Sequence, residues 1–113
     1  MYSECVQEGF ATLSKDIHDN AVKHGFWKHR DVREMATKIA LAHSELSEAL
    51  EALRHSYPKS DKIPFGNFEE ELADCVIRIL DLAYVHKVDL YSAILAKHSY
   101  NKTRLYKHGG KKC

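Results

Sequence analysis

Both prolines of this chain, Pro58 and Pro64, fall within one short segment, residues 57–67. Proline interrupts helices, so this segment is the one clear long loop, and long helices can form on both sides of it. On both sides, apolar residues recur at the spacing of a helix, and no stretch alternates as a strand does. The sequence therefore predicts an all-α fold, a four-helix bundle in a single domain that spans residues 1–113.

Residues suited to helix ends predict the limits of the four helices. Asp31 and Asp89 are expected to be the N-caps of the second and fourth helices, and Gly25 the stop after the first. Asn67 is expected to cap the third helix, with Glu70 as the partner of a capping box. The predicted helices are Val6 to His24, Val32 to His55, a third that follows Asn67 and continues to His86, and Leu90 to Tyr106, ended by Gly109 and Gly110.

Two of these helices each carry a pair of carboxylates three residues apart, Glu45 with Glu48 and Glu71 with Asp74. Positions i and i+3 lie on the same face of a helix, so each pair can direct its oxygens toward one point. If the two helices pack together, four negative charges converge, and they require a cation among them. Oxygen ligands alone suit a hard ion, Mg²⁺ or Mn²⁺, rather than zinc. A di-iron site is excluded because no Glu has a His three residues later.

The third predicted helix is apolar around most of its circumference. Its charged residues, Glu71, Asp74, Arg78 and Asp81, fall within a stripe roughly 80° wide. Such a helix is expected to be packed on two sides, with the charged stripe in a crevice. One chain is not expected to cover it fully, which predicts a homo-oligomer, most simply a two-fold dimer. On the preceding helix, the predicted core stripe is Met35, Ile39, Ala42, Leu46, Ala49, Leu50 and Leu53.

The fourth predicted helix is basic. Lys97, Asn101 and Arg104 share one face at i, i+4 and i+7 spacing, and from Lys97 onward there are six Lys or Arg residues and no acid. A lysine, an amide and an arginine together suit the oxygens of a polyphosphate. Lys111 follows in a basic tail that contains two glycines. Taken alone, the same residues would be a solvated helix face followed by a ragged terminus.

Three ring-bearing residues, Phe26, Trp27 and His29, lie in the short connection between the first two helices. Aromatic side chains in such a cluster can stack on a nucleobase. Aromatic residues in a loop more often cover the core, so the sequence leaves both interpretations open.

Several classes of protein are excluded by composition and charge. A net charge of +1 argues against bulk electrostatic binding to nucleic acid or to anionic membranes. No apolar run approaches the eighteen residues of a membrane span, and Met1 to Gln7 lacks the features of a signal peptide. The three cysteines form neither a CxxC pair nor a zinc spacing. We therefore expect a reduced, cytoplasmic protein.

The acidic segments resemble those of a known enzyme family. His43 to Ala52, with sequence HSELSEALEA, followed by Glu71 to Asp74, with sequence ELAD, is similar to the ExxE and ExxD segments of the MazG-like nucleotide pyrophosphohydrolases. The Gly25-Phe26-Trp27 run, the Lys97, Asn101 and Arg104 spacing and the tail Lys107 to Lys111 are similar to that family as well. The resemblance covers residues 17–111, nearly the whole chain.

This resemblance implies an all-α enzyme that cleaves a nucleoside triphosphate, NTP or dNTP, between its α and β phosphates, as in the cleaning of nucleotide pools. By the same likeness, Glu45, Glu48, Glu71 and Asp74 bind Mg²⁺. Because a metal-bound water must lose a proton to attack, we also expect Glu45 or Glu48 to be the catalytic base. Lys97, Asn101, Arg104 and Lys111 hold phosphates, and Trp27 with its neighbours approaches the base. Members of this size are homodimers or homotetramers. The remaining alternative is a non-enzymatic helical regulatory or interaction module, whose carboxylates would serve only for solubility.

Overall fold

The computed structural model of the protein describes residues 3–104, and these form four α-helices. Their bounds are Glu4–Lys23 for α1, Val32–Arg54 for α2, Asn67–His86 for α3 and Leu90–Lys102 for α4. The described residues form no strand, and their β-type pairing is limited to an isolated bridge between Lys59 and Gly66. The all-α prediction is confirmed. Within residues 3–104, no helix is long and apolar enough to cross a membrane.

Most of the predicted helix ends are confirmed. The Asp31 carboxylate accepts a hydrogen bond from the Glu34 amide at 2.9 Å, and the Asp89 carboxylate accepts one from the Ser92 amide at 3.0 Å. Gly25 follows α1 with a φ of 81°, a conformation that glycine adopts without steric cost. Helix α4, however, ends at Lys102, earlier than predicted. Tyr106, Gly109 and Gly110 lie outside the described residues.

The predicted capping of α3 is wrong by one residue at both positions. Gly66 is the N-cap, and its amide donates to the Glu69 carboxylate at 3.4 Å. Asn67 is the first helical residue, and its amide donates to the Pro58 carbonyl at 2.7 Å. Glu70 is buried, and its carboxylate accepts a hydrogen bond from the Ser60 hydroxyl. Glu70 therefore ties the loop to α3 rather than completing a cap.

Helix α3 is packed on two sides, as predicted. It makes its most extensive contact with α2 and a second contact with α1, whereas α4 packs mainly against α1. The loop between α2 and α3 reverses the chain, so that the end of α2 lies beside the start of α3. Because both acidic pairs lie near this reversal, they are brought to the same level of the helix pair.

The predicted core stripe of α2 is only partly buried within one chain. Ala49 is buried, but four of the larger members are between 42% and 49% exposed: Ile39, Leu46, Leu50 and Leu53. On α3, Leu72, Val76 and Ile79 are exposed as well. The prediction that this stripe packs inside the chain is therefore wrong for these four residues, whereas Met35 is half-buried. Helix α4 lies against α1 and leaves this face of α2 and α3 uncovered.

Candidate metal centre and adjoining cavity

The contact between α2 and α3 brings the two acidic pairs together. Glu45, Glu71 and Asp74 each place one carboxylate oxygen within 4.8 Å of the others. Glu48 is exposed and lies beside this group, where its carboxyl interacts with those of Glu45 and Glu71. The four residues that the sequence singled out are thus neighbours in space. We call them the acidic cluster.

Only one cation is paired with the acidic cluster in the described part of the chain. The Arg78 Nε donates to Glu45 Oε1 at 2.9 Å, and Glu45 is itself 7% exposed. Glu71 Oε2, in contrast, is buried and has no hydrogen-bond partner. A single guanidinium cannot compensate the full charge of four ionised carboxylates, so this arrangement retains unsatisfied negative charge.

The charge imbalance shifts the titration of the cluster. Burial, together with the neighbouring Glu45 and Glu48 carboxyls, raises the pKa of Glu71 to about 8. Burial also raises the pKa of Asp74, and the negative charges of Glu45 and Glu70 add to that rise. Burial would raise the pKa of Glu45 too, but its interactions with the Glu71 carboxyl, with Arg78 and with the Glu48 carboxyl outweigh burial and lower that pKa. The cluster therefore retains a proton near neutral pH, and a bound cation would neutralise the same excess negative charge.

The donor set of the cluster fits a hard divalent cation. All its ligand atoms are carboxylate oxygens, and the buried, unpartnered Glu71 Oε2 is available for coordination. Mg²⁺ and Mn²⁺ prefer such oxygens, whereas the cluster offers no sulfur or imidazole for zinc. Glu45, Glu71 and Asp74 would hold the ion directly, and Glu48 is near enough to complete the set.

A cavity of about 320 Å³ adjoins the cluster and lies between α1 and α3. Asp74 and Arg78 form the wall that it shares with the cluster. Its other lining residues are Asp16, Ile17, Asn20 and Ala21 from α1, Phe26, Lys38 from α2, and Ile77 and Asp81 from α3. This volume is in the range of small-molecule sites, about 300–1,000 Å³.

The three ring-bearing residues of the first connection have separate surroundings. Phe26 is 54% exposed and lines the cavity. Trp27 is buried, and its indole N–H donates to Asp81 Oδ2 at 2.8 Å. His29 is exposed and does not line the cavity. Of the predicted base-binding residues, Phe26 is therefore the one placed beside the acidic cluster.

Sequence reasoning missed a buried polar network that fixes this connection. Asp81 Oδ1 lies 2.7 Å from His18 Nδ1, while its Oδ2 accepts from Trp27. Arg30 Nη1 lies 3.2 Å from His18 Nε2, and since arginine can only donate, His18 accepts there and donates to Asp81. Lys38 donates to the Phe26 carbonyl. The sequence did contain one indication of this network. A helix predicted to pack on two sides places Asp81 in a crevice, where a carboxylate requires hydrogen-bond partners.

The predicted phosphate-binding residues lie on and just after α4, whose main contact is with α1. Lys97 and Asn101 are exposed on α4, and Arg104 follows the end of that helix. The Lys97 Nζ lies 4.6 Å from the Tyr100 ring centroid. No hydrogen bond or ion pair within residues 3–104 connects Lys97, Asn101 or Arg104 to the acidic cluster. Lys111 lies outside the described residues.

Comparison of the chain with protein-family models, with curated proteins and with solved structures gave no match. The class of protein is defined by the fold and the site alone: an all-α domain with a candidate cation site between two of its helices.

The pKa of Glu71 generates a prediction about stability. The ordinary pKa of a glutamate is near 4.5, whereas folding raises that of Glu71 to about 8. Between these values the folded protein binds a proton that the unfolded chain releases, so the free energy of unfolding should fall as pH rises toward 8. Glu71→Gln should reduce this fall, since glutamine stays neutral, whereas Glu8→Gln at an exposed site on α1 should retain it.

Denaturant unfolding of metal-free protein at pH 5.5 and pH 8.5 measures this effect. The comparison between variants isolates Glu71 from other groups that titrate in the same interval. A pH dependence in Glu71→Gln identical to that of the unsubstituted protein would contradict the assigned pKa.

Proposed function

We propose that this protein is a Mg²⁺-dependent nucleoside triphosphate pyrophosphohydrolase of the MazG-like type. Its proposed reaction hydrolyses an NTP or dNTP to the monophosphate and pyrophosphate in the cytoplasm. The observation that carries this proposal is the convergence of Glu45, Glu71 and Asp74 at the α2–α3 contact, beside a cavity of ligand size. The sequence resemblance in both acidic segments and in the fourth helix supports the same reaction.

The proposed chemistry makes all four carboxylates ligands of the cation and gives one of them a second role as the base. Glu45, Glu71 and Asp74, with Glu48, would hold Mg²⁺, which Mn²⁺ can replace. When bound, this cation supplies charge neutralisation for the triphosphate and activation of the attacking water. Glu48 is better placed than Glu45 to take the proton of that water, because Glu45 already accepts from Arg78 and has a lowered pKa.

Positive side chains would stabilise the pyrophosphate leaving group. Arg78 borders both the cavity and the cluster, and its Nε is already used by Glu45, which leaves its terminal nitrogens for a phosphate. Lys97, Asn101, Arg104 and Lys111 keep their proposed phosphate-binding role from the sequence resemblance.

A homo-oligomer, a dimer or a tetramer, is part of the proposal. The uncovered face of α2 and α3 includes a largely apolar groove of about 330 Å³. Its lining residues are Met35, Ile39, Ile79, Leu82, Ala83, His86, Val88 and Leu90. A second copy that packs its own apolar face here would remove this surface from water, and two-fold association is the commonest arrangement.

The alternative, a non-enzymatic interaction module, makes the carboxylates solubilising surface charges. The burial of Glu45 and the raised pKa of Glu71 oppose it, because charges that serve solubility are exposed and titrate normally.

Product analysis tests the enzymatic proposal. Incubation with Mg²⁺ and a panel of NTPs and dNTPs should yield nucleoside monophosphate and pyrophosphate. Asp74→Asn should reduce turnover by roughly a hundredfold or more, because it removes a ligand charge from the cluster. Asp19→Asn, an exposed aspartate on α1 that pairs with Lys15, is the matched control and should retain activity. Release of orthophosphate with diphosphate would refute the assigned bond, and no turnover across the panel would favour the interaction module.

A charge substitution tests the proposed oligomer. Ile79→Glu should dissociate the assembly, because a carboxylate would be buried in an apolar contact. Val22→Glu is the control on α1, since Val22 is 42% exposed and Ile79 is 40% exposed. Light scattering of both variants and of the unsubstituted protein measures the mass in solution. An active monomer of the unsubstituted protein would contradict the proposed assembly.

A further inference from the structure

We propose that the cavity between α1 and α3 binds the nucleobase of the substrate, and that Asp16 makes it selective for cytosine and adenine, which carry an amino group where uracil and hypoxanthine carry an oxo group. This inference rests on the proposed function and deepens it by naming a substrate class. Neither Asp16 nor Asn20 was among the residues that the sequence indicated.

The position of the cavity connects it to the reacting phosphates. Asp74 belongs to the acidic cluster and also lines the cavity, as does Arg78, which pairs with Glu45. A nucleotide whose phosphates reach the cluster therefore has this cavity immediately beside it.

The apolar part of the cavity suits a flat ring. Ile17 and Ala21 on α1 face Ile77 on α3, and Phe26 adds an aromatic surface at the side. Lys38 holds the carbonyl of Phe26, and its Nζ lies 5.8 Å from the centre of the Phe26 ring. The backbone that carries the aromatic ring is thus tied to α2 before a ligand binds. Stacking on such a ring recognises any base and does not select among them.

The polar part of the cavity can distinguish between bases. Asp16 and Asn20 lie one turn apart on α1, and within residues 3–104 neither side chain makes a hydrogen bond. Asp81, in contrast, has both oxygens occupied by His18 and Trp27. Of the two cations of the cavity, Lys38 donates to the Phe26 carbonyl, whereas Arg78 donates its Nε to Glu45 and has its terminal nitrogens assigned to the phosphates. Asp16 and Asn20 are therefore the groups that remain to bind a base edge.

The chemistry of Asp16 gives the direction of the selectivity. An ionised carboxylate can only accept hydrogen bonds. The amino group of cytosine or adenine donates to it, whereas the oxo group at the same position of uracil or hypoxanthine would place two acceptors face to face. The Asn20 amide can donate or accept, so it tolerates either edge. Discrimination is assigned to Asp16 because a hydrogen bond to a charged group is stronger than one between neutral groups.

Matched substrate pairs test this assignment. dCTP and dUTP differ in an amino and an oxo group at one ring position, as do dATP and dITP. We expect kcat/KM to favour the amino member of each pair that is turned over, by roughly tenfold or more. Asp16→Asn is nearly isosteric and exposed, and it should remove most of this preference. Asp19→Asn, on the same helix but outside the cavity, should retain it.

A binding measurement decides the inference independently of turnover. Calorimetric titration of the metal-free protein with dCMP and with dUMP should show tighter binding of dCMP, and Asp16→Asn should reduce the difference. Equal binding of the two monophosphates, or an unchanged difference in Asp16→Asn, overturns the inference whether or not the protein is an enzyme. Failure to hydrolyse any triphosphate, combined with the expected dCMP preference, would refute the proposed reaction alone.

Discussion

Repulsion among carboxylates at the α2–α3 contact is the constraint on which the rest of this structure depends. Two acids of α3 illustrate two ways of burying a carboxyl group. Asp81 has both oxygens hydrogen-bonded, to His18 and to Trp27, so the protein itself satisfies it. Glu71 has a buried oxygen with no partner and a pKa raised to about 8. A fully paired acid serves the fold, whereas an unpaired one is stabilised only by a proton or by a bound cation.

Helix α3 connects the separate parts of the proposal. One side carries Glu71, Asp74 and Arg78 toward α2, and Asp74, Ile77 and Arg78 also border the cavity beside α1. A further side, with Val76 and Ile79, is exposed in the single chain. Because all three features share one helix, the packing of a second copy on the apolar side would also determine how rigidly the carboxylates are held. Activity and assembly are therefore expected to depend on one another.

The sequence predicted the helices and the acidic cluster because both depend on local spacing. Asp31, Asp89 and Gly25 have end-of-helix chemistry that acts within a few residues, and i, i+3 carboxylates share a face in any helix. The wrong predictions concern positions whose hydrogen bonds or packing depend on residues outside the same helix. Gly66 is the N-cap in place of Asn67, whose amide donates to the Pro58 carbonyl, and the Glu70 carboxylate accepts from the Ser60 hydroxyl of the loop. The apolar residues of α2 do lie on one face, as predicted, but sequence periodicity does not reveal whether another helix of the same chain covers that face. The cavity residues Asp16 and Asn20 also depend on tertiary contact and had no local signal.

The acidic cluster is proposed above all to be a cation site. Titration of the metal-free protein with Mn²⁺, followed by the electron paramagnetic resonance signal of the free ion, measures binding directly and requires no substrate. We predict binding to the unsubstituted protein and to Asp19→Asn with equal affinity, and binding at least roughly tenfold weaker in Glu71→Gln, because a neutral amide replaces a carboxylate ligand. Absence of Mn²⁺ binding, or an affinity unchanged by Glu71→Gln, would contradict the claim.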